Sequence, residues 1–166
     1  MRTHLSAIIL LALNFLIFLV LNQFLNPHPD MLDHWVWSRF LSASYYEHPP
    51  MVAFLIRFIT TIAGHHETSL EIGAQLVNLA IIYLIFRLAL SIFHTRAALF
   101  ALLVLSSMPY FTLGTVFLHI TQPFVFCWVL ALMLLVRYHR EPHPRWLIFI
   151  GVVCGLGALS LSLIHI

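Results

Sequence analysis

The sequence contains no lysine and only six acidic residues. Charged residues make up 8% of the 166 positions, against about 25% in an ordinary soluble domain. A soluble globular domain cannot cover its surface with so few charges, so that class is excluded. The formal net charge of +2 comes from scattered arginines, which also excludes the basic footprint of a nucleic-acid-binding protein.

Cysteine is equally scarce. Cys127 and Cys154 both lie inside apolar runs, so the sequence carries no disulfide framework, and we interpret both as small buried hydrophobic residues. Histidine is frequent, with eleven copies, but none falls in a close ligand pattern such as His-Glu-x-x-His. We find no internal repeat or low-complexity tract.

Apolar residues dominate what remains, at 61% of the chain. Five segments are long enough to cross, or nearly cross, a hydrocarbon core of about 30 Å: 5–25, 70–93, 97–116, 118–136 and 146–166. The first exceeds a usual signal-peptide core and no Ala-x-Ala-like site follows it, so we interpret it as a retained helix. The predicted fold class is an all-α integral membrane protein with multiple spans.

Two shorter segments predict juxtamembrane helices in the first loop. Residues 50–63 follow Pro49, and proline suits the first turn of a helix. At about 14 residues this segment is too short to span, which favours an interfacial or re-entrant helix. Residues 31–44 predict another interfacial helix, with an irregular loop as the alternative. Polar residues recur along one side of it and apolar residues along the other: His34, Ser38 and Ser42 against Leu32, Trp35, Val36 and Phe40.

Charge predicts the orientation in the membrane. Most arginines lie before the first span or around two later turns: Arg2, Arg87, Arg96, Arg137, Arg140 and Arg145. Five of the six acids lie in or beside the first loop: Asp30, Asp33, Glu47, Glu67 and Glu71. The positive-inside rule then makes the N-terminus cytoplasmic and residues 26–69 external. This loop is the one long polar connection, so we expect the chemistry there.

The first loop carries side chains suited to group transfer. A carboxylate at the membrane surface is a potential general base, glutamate and histidine are competent ligands of zinc or other divalent ions, and histidine or arginine can hold a phosphate. The residues concerned are Asp30, Asp33, His34, Arg39, Tyr45, Tyr46, Glu47 and His48. The alternative is an interfacial loop with tyrosine anchors and solvated charges.

The stretch YYEHPPMVAFLIR at 45–57 resembles the YYDHPPLVAWLIR signature of the ArnT-like and protein-mannosyltransferase-like membrane glycosyltransferases, which have the GT-C fold. The upstream DMLDHWVWS is similar to DEAYYWLWS of that family. Downstream, FHTRAALFALLVLSSMPYF, LHITQPFVFCWVLAL and GVVCGLGALS are similar to further family segments in the same order. The resemblance covers about 30–160.

The resemblance implies an inverting transfer of a sugar from a polyprenyl-phosphate donor to a lipid, glycan or protein acceptor at the external face. It implies Asp30 as the catalytic base, with Asp33 as the rival, and Glu47 as ligand of a divalent ion such as zinc, magnesium or manganese. The implied substrate-binding residues are Tyr45, Tyr46, His48 and Arg57. Met31 and Thr121 stand where the family has further acids, which implies a divergent subgroup or loss of conventional activity.

Residues 1–160 are expected to be the N-terminal part of such an enzyme, inactive alone, in a bacterial inner membrane and in contact with its lipids. The last six residues, LSLIHI at 161–166, match the translation of CTG TCT CTT ATA CAC ATC, a transposase adaptor repeat. We hypothesise that they are not native, a natural apolar tail being the alternative. Re-reading the source DNA past Ser160 would decide this.

A multispanning transporter or a non-catalytic membrane subunit is the alternative function. Transporters favour ionisable residues deep within their spans. Arg87 is the clearest intramembrane charge in this sequence, and it lies close enough to the cytoplasmic end for its side chain to snorkel to the interface. The pattern therefore favours the enzyme.

Overall fold

The computed structural model describes residues 2–26, 28–46, 48–108, 110–111 and 118–160. Regular structure in these ranges is helical throughout, which confirms the predicted all-α class. A 3₁₀ turn, Asn22–Phe24, follows the first helix. The α-helices are α1 (Arg2–Leu21), α2 (Pro29–Arg39), α3 (Met51–Ala63), α4 (Glu67–Ile92), α5 (Thr95–Ser107), α6 (Thr121–Arg140) and α7 (Pro144–Ala158).

Within the described ranges, three helical stretches are long and apolar enough to cross a membrane: Thr3–Phe24, Glu67–Ile92 and Thr121–Arg140. Helix α5 has 13 residues and α7 has 15, which correspond to about 20 and 22 Å at 1.5 Å per residue. Both are shorter than the spans predicted for 97–116 and 146–166. The apolar residues at 112–117 and 161–166 lie outside the described residues.

The early end of α5 has a local cause. Met108 precedes Pro109, and the proline ring disfavours the helical conformation of the residue before it. Met108 accordingly adopts φ −73° and ψ 134°, an extended backbone. The apolar content of 97–116 therefore did not translate into one continuous helix, because hydropathy carries no information about this steric restriction.

Helix α4 is the central element, and α1 and α5 pack along it. Helix α1 runs antiparallel to it, because the ring of His4 lies 6.1 Å from that of Phe86 while Gln75 Nε2 donates to the carbonyl oxygen of Phe15 at 2.6 Å. Asparagine and glutamine side chains commonly form hydrogen bonds between helices in membranes. The apolar cluster on this side contains Ala7, Ile81, Ile82, Phe86, Ala98, Leu102 and Phe111.

The juxtamembrane helices α2 and α3 pack on the N-terminal half of α4, as the sequence predicted for the first loop. A second apolar cluster joins these helices to the segment before α6, and it contains Met31, Val52, Ile56, Leu70, Ala74, Leu118 and Ile120. The backbone N–H of Met51 donates to the carbonyl oxygen of Leu159 at 3.2 Å. The start of α3 and the end of α7 therefore meet at this end of the bundle.

Arginines gather at the opposite end of the bundle. The guanidinium carbons of Arg137 and Arg145 lie 4.4 and 4.7 Å from the ring centroid of Trp146, which is cation–π distance. Arg140 donates to the backbone carbonyl of Ser91, so the end of α6 is joined to the end of α4. The first-loop helices and the arginine-rich turn thus occupy opposite ends of the long helices.

The polar side of α2 faces the protein. His34 and Ser38 are buried, whereas Leu32, Val36 and Phe40 are exposed. Leu32, Val36 and Phe40 therefore point towards the surroundings of the molecule, whereas Met31 and Trp35 pack into the second apolar cluster. This orientation fits an interfacial helix whose apolar side lies against lipid.

Gly73 sets the close approach of α3 to α4 and generates a prediction. A β-carbon at this position would lie 2.7 Å from Ile59 Cδ1 and 2.8 Å from Cγ2, and a β-branched side chain has few rotamers with which to move away. Gly73→Ala is expected to cost about 1–3 kcal/mol of stability through overpacking, measured as a lower Tm in detergent.

In an Ile59→Ala background, which lacks the clashing atoms, Gly73→Ala should lower Tm by less than it does in the unmodified chain. Gly151→Ala is the matched control, since nothing lies within 4 Å of a β-carbon placed there, and its Tm should not fall. An equal loss of Tm in the two single variants would contradict the proposed contact.

Candidate functional site

The start of α2 fixes the backbone of Asp30. His28 Nδ1 accepts a hydrogen bond from the backbone N–H of Asp30 at 3.3 Å, and Pro29, at the first helical position, has no N–H that needs a partner. The carboxylate of Asp30 therefore lies in the first turn, where the helix dipole favours negative charge. About half of this side chain is exposed, at 51%.

Tyr45 holds the loop between α2 and α3. Its ring stacks on Trp37 with a centroid separation of 4.9 Å and an interplanar angle of 10°. Its hydroxyl accepts from the backbone N–H of Ser42 at 3.1 Å and lies 3.0 Å from the carbonyl oxygens of both Trp37 and Phe40. The backbone N–H of Tyr45 also donates to the carbonyl oxygen of His48 at 3.1 Å. These bonds place His48 beside α2.

Three histidines from separate parts of the chain meet here, and we call His34, His48 and His119 the histidine cluster. The ring centroid of His34 lies 5.8 Å from that of His48 and 5.9 Å from that of His119. His34 is almost fully buried, and its Nδ1 lies 3.2 Å from the carbonyl oxygen of Leu118. Because a carbonyl only accepts, this ring carries its proton on Nδ1.

Asp30 lies at the edge of the histidine cluster. Its Oδ2 is 3.9 Å from Nε2 of His119, and its Oδ1 is 3.6 Å from Nδ1 of His28. The cluster therefore combines one partly exposed carboxylate with several imidazoles, a set that can accept a proton and donate hydrogen bonds to an anion.

Burial controls the charge of the inner histidines. Desolvation lowers the pKa of His34, the hydrogen bond to Leu118 opposes that shift, and the neighbouring His119 and His48 lower the pKa further. Desolvation also lowers the pKa of His119, with Asp30 as the main opposing influence. At pH 7 both rings are therefore neutral hydrogen-bonding groups. An arriving anion would favour their protonation.

An apolar groove of about 680 Å³ lies between α3, α4 and α6. Its lining is almost entirely hydrocarbon. Residues along it include Met51, Phe54 and Phe58 of α3, Leu76 and Ala80 of α4, and Phe126 of α6. Met51 is three residues after His48, so the chain passes from the polar cluster to the wall of the groove within one short step.

Residues 47–165 match the family described as dolichyl-phosphate-mannose-protein mannosyltransferase. The match covers 119 of the 166 residues. The chain belongs to this family. It is accordingly a membrane glycosyltransferase of the GT-C kind, which confirms the resemblance found in the sequence. No curated protein and no solved structure matches the chain.

Two of the residues predicted for the glycosyltransferase site lie together, and the others do not. Asp30 and His48 both border the inner histidines. Tyr45 uses its hydroxyl within the loop, Tyr46 is fully exposed at 101%, and Arg57 is exposed on α3 without an ion pair to any described carboxylate. Glu47 lies outside the described residues.

Sequence reasoning named His34 among the polar residues of the first loop without assigning it to the glycosyltransferase site, and it gave His119 no role. For His34 the signal was its spacing of four residues from Ser38, which places both polar side chains on one side of α2. The structure shows that this side faces the protein. For His119 no local signal exists, because its neighbours in the cluster come from the distant first loop. Only the packing of α2 and α3 against the segment before α6 brings it there.

A metal site requires several ligating side chains close together. In the described part of the chain, no group of three or more histidine, cysteine, aspartate or glutamate side chains is arranged to hold a metal ion. Nδ1 of His34 is occupied by the Leu118 carbonyl. The described side chains therefore do not form a metal centre by themselves.

Proposed function

We propose that this glycosyltransferase moves a sugar from a polyprenyl-phosphate donor to an acceptor hydroxyl or amine at the external face of the membrane. The observation that carries the proposal is the position of the half-exposed Asp30 carboxylate at the edge of the histidine cluster, beside the apolar groove. A polyprenyl phosphate needs both surroundings at once, because it joins a long hydrocarbon chain to an anionic head group.

The groove is proposed to hold the hydrocarbon part of the donor. Its walls offer aromatic and aliphatic side chains, and burial of apolar surface contributes about 25 cal/mol per Å². Met51, in the wall of the groove, is three residues from His48, so a donor chain lying in the groove is proposed to place its phosphate at the histidine cluster. His48 is proposed to donate an imidazole N–H to a phosphate oxygen, because the N–H of His34 is used by the Leu118 carbonyl, and Arg57 is proposed as a further contact.

Asp30 is proposed as the general base. The acceptor oxygen or nitrogen attacks the anomeric carbon, and its proton passes to the Asp30 carboxylate. The bond between the anomeric carbon and the phosphate oxygen breaks, and polyprenyl phosphate leaves with the bonding electrons. Hydrogen bonds from His48 and Arg57 stabilise the charge that develops on the phosphate. The configuration at the anomeric carbon inverts.

The external location is proposed from the two ends of the bundle. Helices α4 and α6 begin beside the histidine cluster and end near Ser91 and Arg140, which are in contact. The turn at that second end is rich in arginine, and such turns remain cytoplasmic. Because the long helices separate the two ends, the cluster is proposed to face the periplasm or exterior.

A divalent ion held by Glu47 is proposed separately, and its support is the acid in the Tyr-Tyr-Glu-His-Pro-Pro motif. The ion would supply positive charge near the leaving phosphate. His48, the next residue, has a buried Nδ1 without a hydrogen-bond partner in the described part of the chain.

The first prediction concerns the base. In the full-length enzyme, Asp30→Asn should lower kcat by roughly 10²–10⁴-fold, the usual contribution of general-base catalysis, with little change in donor KM. The helix cap is kept, because His28 accepts from the backbone of residue 30. Steady-state assays with a polyprenyl-phosphate sugar measure both constants.

Asp33→Asn is the matched control, since this acid is exposed on the same helix and makes no ion pair with a described residue. Its kcat should stay close to that of the unmodified enzyme. Full activity in Asp30→Asn together with collapse in Asp33→Asn would transfer the role to Asp33. Full activity in both would remove the general base from this loop.

The second prediction concerns the metal. Glu47→Gln keeps the side-chain shape and removes the charge, so it should lower bound divalent metal and turnover together. Elemental analysis of the purified enzyme and the transfer assay measure the two effects. Glu141→Gln, in the arginine-rich turn, is the control. Unchanged metal content and activity in Glu47→Gln would refute the ligand role.

The third prediction concerns sidedness. In a variant with Cys127 and Cys154 replaced by alanine, Tyr46→Cys should react with an impermeant maleimide added outside intact cells, because this side chain is fully exposed. His139→Cys should react only after the membrane is opened. The reverse pattern would place the histidine cluster on the cytoplasmic side.

A further inference from the structure

His119 belongs to the segment before α6, whereas Asp30 belongs to α2, and the two side chains approach each other in the site. The distance from its Nε2 to Oδ2 of Asp30 is 3.9 Å. The exposed fractions are 28% for the His119 side chain and 51% for that of Asp30. The imidazole therefore covers the inner side of a carboxylate whose outer side is open.

The start of α6 fixes which nitrogen of His119 carries the proton. The backbone N–H of Thr121 donates to Nδ1 at 3.4 Å, and the hydroxyl of Thr121 lies 3.2 Å from the same atom. A backbone N–H can only donate, so Nδ1 is the acceptor and the neutral ring has its hydrogen on Nε2. That N–H is the one next to Asp30.

The His119 backbone is held as well. Its N–H donates to Oε1 of Gln122 at 3.2 Å, and Gln122 is buried. The ring and its backbone are thus both tied to the first turn of α6, which is part of a long helix packed on α4. A donor on such a support can fix the orientation of a carboxylate.

The two oxygens of Asp30 have different neighbours. Oδ2 lies next to the Nε2 hydrogen of His119. Oδ1 lies 3.6 Å from Nδ1 of His28, and that nitrogen already accepts from the backbone N–H of Asp30. Because Nδ1 is an acceptor in that hydrogen bond, it presents a lone pair and not a hydrogen to Oδ1. Oδ1 keeps its capacity to accept a proton.

We propose that His119 is a positioning residue for Asp30. Its Nε2–H holds Oδ2 and thereby leaves Oδ1 as the oxygen that takes the proton from the acceptor. The separation of 3.9 Å in the free enzyme shortens when substrate is bound, as catalytic hydrogen bonds commonly do. This inference rests on the proposed role of Asp30 as the base.

Two amide substitutions of His119 test the inference, because asparagine can replace the Nδ1 acceptor and glutamine can replace the Nε2–H donor. In His119→Asn the side-chain oxygen can still accept from Thr121, but no donor reaches Asp30. In His119→Gln the longer side chain carries an N–H to about the position of Nε2. We expect kcat to fall roughly 10–100-fold in His119→Asn, the scale of a misplaced catalytic group, and to stay within about threefold in His119→Gln. Donor KM should change little in either variant.

A double variant separates positioning from a general structural effect. If His119 acts through the Asp30 carboxylate, His119→Asn should cost little further kcat in an Asp30→Asn enzyme, because coupled residues are not additive. His139→Asn, at the arginine-rich end, is the control and should match the unmodified enzyme. All assays use the full-length enzyme with a polyprenyl-phosphate sugar.

Three results would overturn the inference: an unchanged kcat in His119→Asn, equal losses in His119→Asn and His119→Gln, or a full additional loss in the Asp30→Asn background. Full activity of Asp30→Asn alone would instead refute Asp30 as the base. The failure of the inference and the failure of the proposed function are therefore distinguishable.

Discussion

The hydrogen bond from His34 to the carbonyl oxygen of Leu118 joins parts of the chain that are 84 residues apart. Both groups are buried, so leaving either unpaired would cost about 1–3 kcal/mol. Met31, one turn before His34, packs in the same apolar cluster as Leu118. This polar and apolar contact holds α2 against the segment before α6, and it places His119 next to Asp30.

The position of polar groups in this protein follows from its surroundings. In α2 the histidine and serine side chains point inward, while leucine, valine and phenylalanine point outward. The Ser38 hydroxyl donates to the carbonyl oxygen of Trp35 at 2.6 Å, so even this inward group is paired. A helix at a membrane surface can expose apolar residues at no cost, because lipid replaces water around them. Polar residues can then gather inside, where they form the site.

The groove and the histidine cluster complement each other chemically. One is hydrocarbon and the other is polar, and they meet between His48 and Met51, where Pro49 and Pro50 turn the chain from loop into helix. The adjacent prolines suit this change. Proline disfavours helix in the residues before it, and its fixed φ is compatible with the first turn of the helix that follows. The two surroundings that a lipid-linked anion requires are thus joined by four consecutive residues.

The sequence by itself determined the helical class, the two juxtamembrane helices and the loop in which Asp30 and His48 lie. Those features depend on apolar runs, prolines and charge bias, which are local properties of the chain. Hydropathy overestimated α5, because the restriction imposed on Met108 by the following proline is steric. The exposure of Tyr46 was not predictable either, since it depends on how Tyr45 ties its loop to Trp37, and the exposure of Arg57 depends on how α3 packs.

Only the tertiary structure decided which side chains share the site. The approach of His119 to Asp30 requires α2, α3, α4 and α6 to pack in one arrangement, and Gly73 and the Met31 cluster set that arrangement. The apolar contacts of this arrangement are non-directional and involve residues far apart in the chain, so no local sequence motif predicts them. The proton position on His119 then follows from the turn at Thr121, a feature of backbone geometry that residue types alone do not specify.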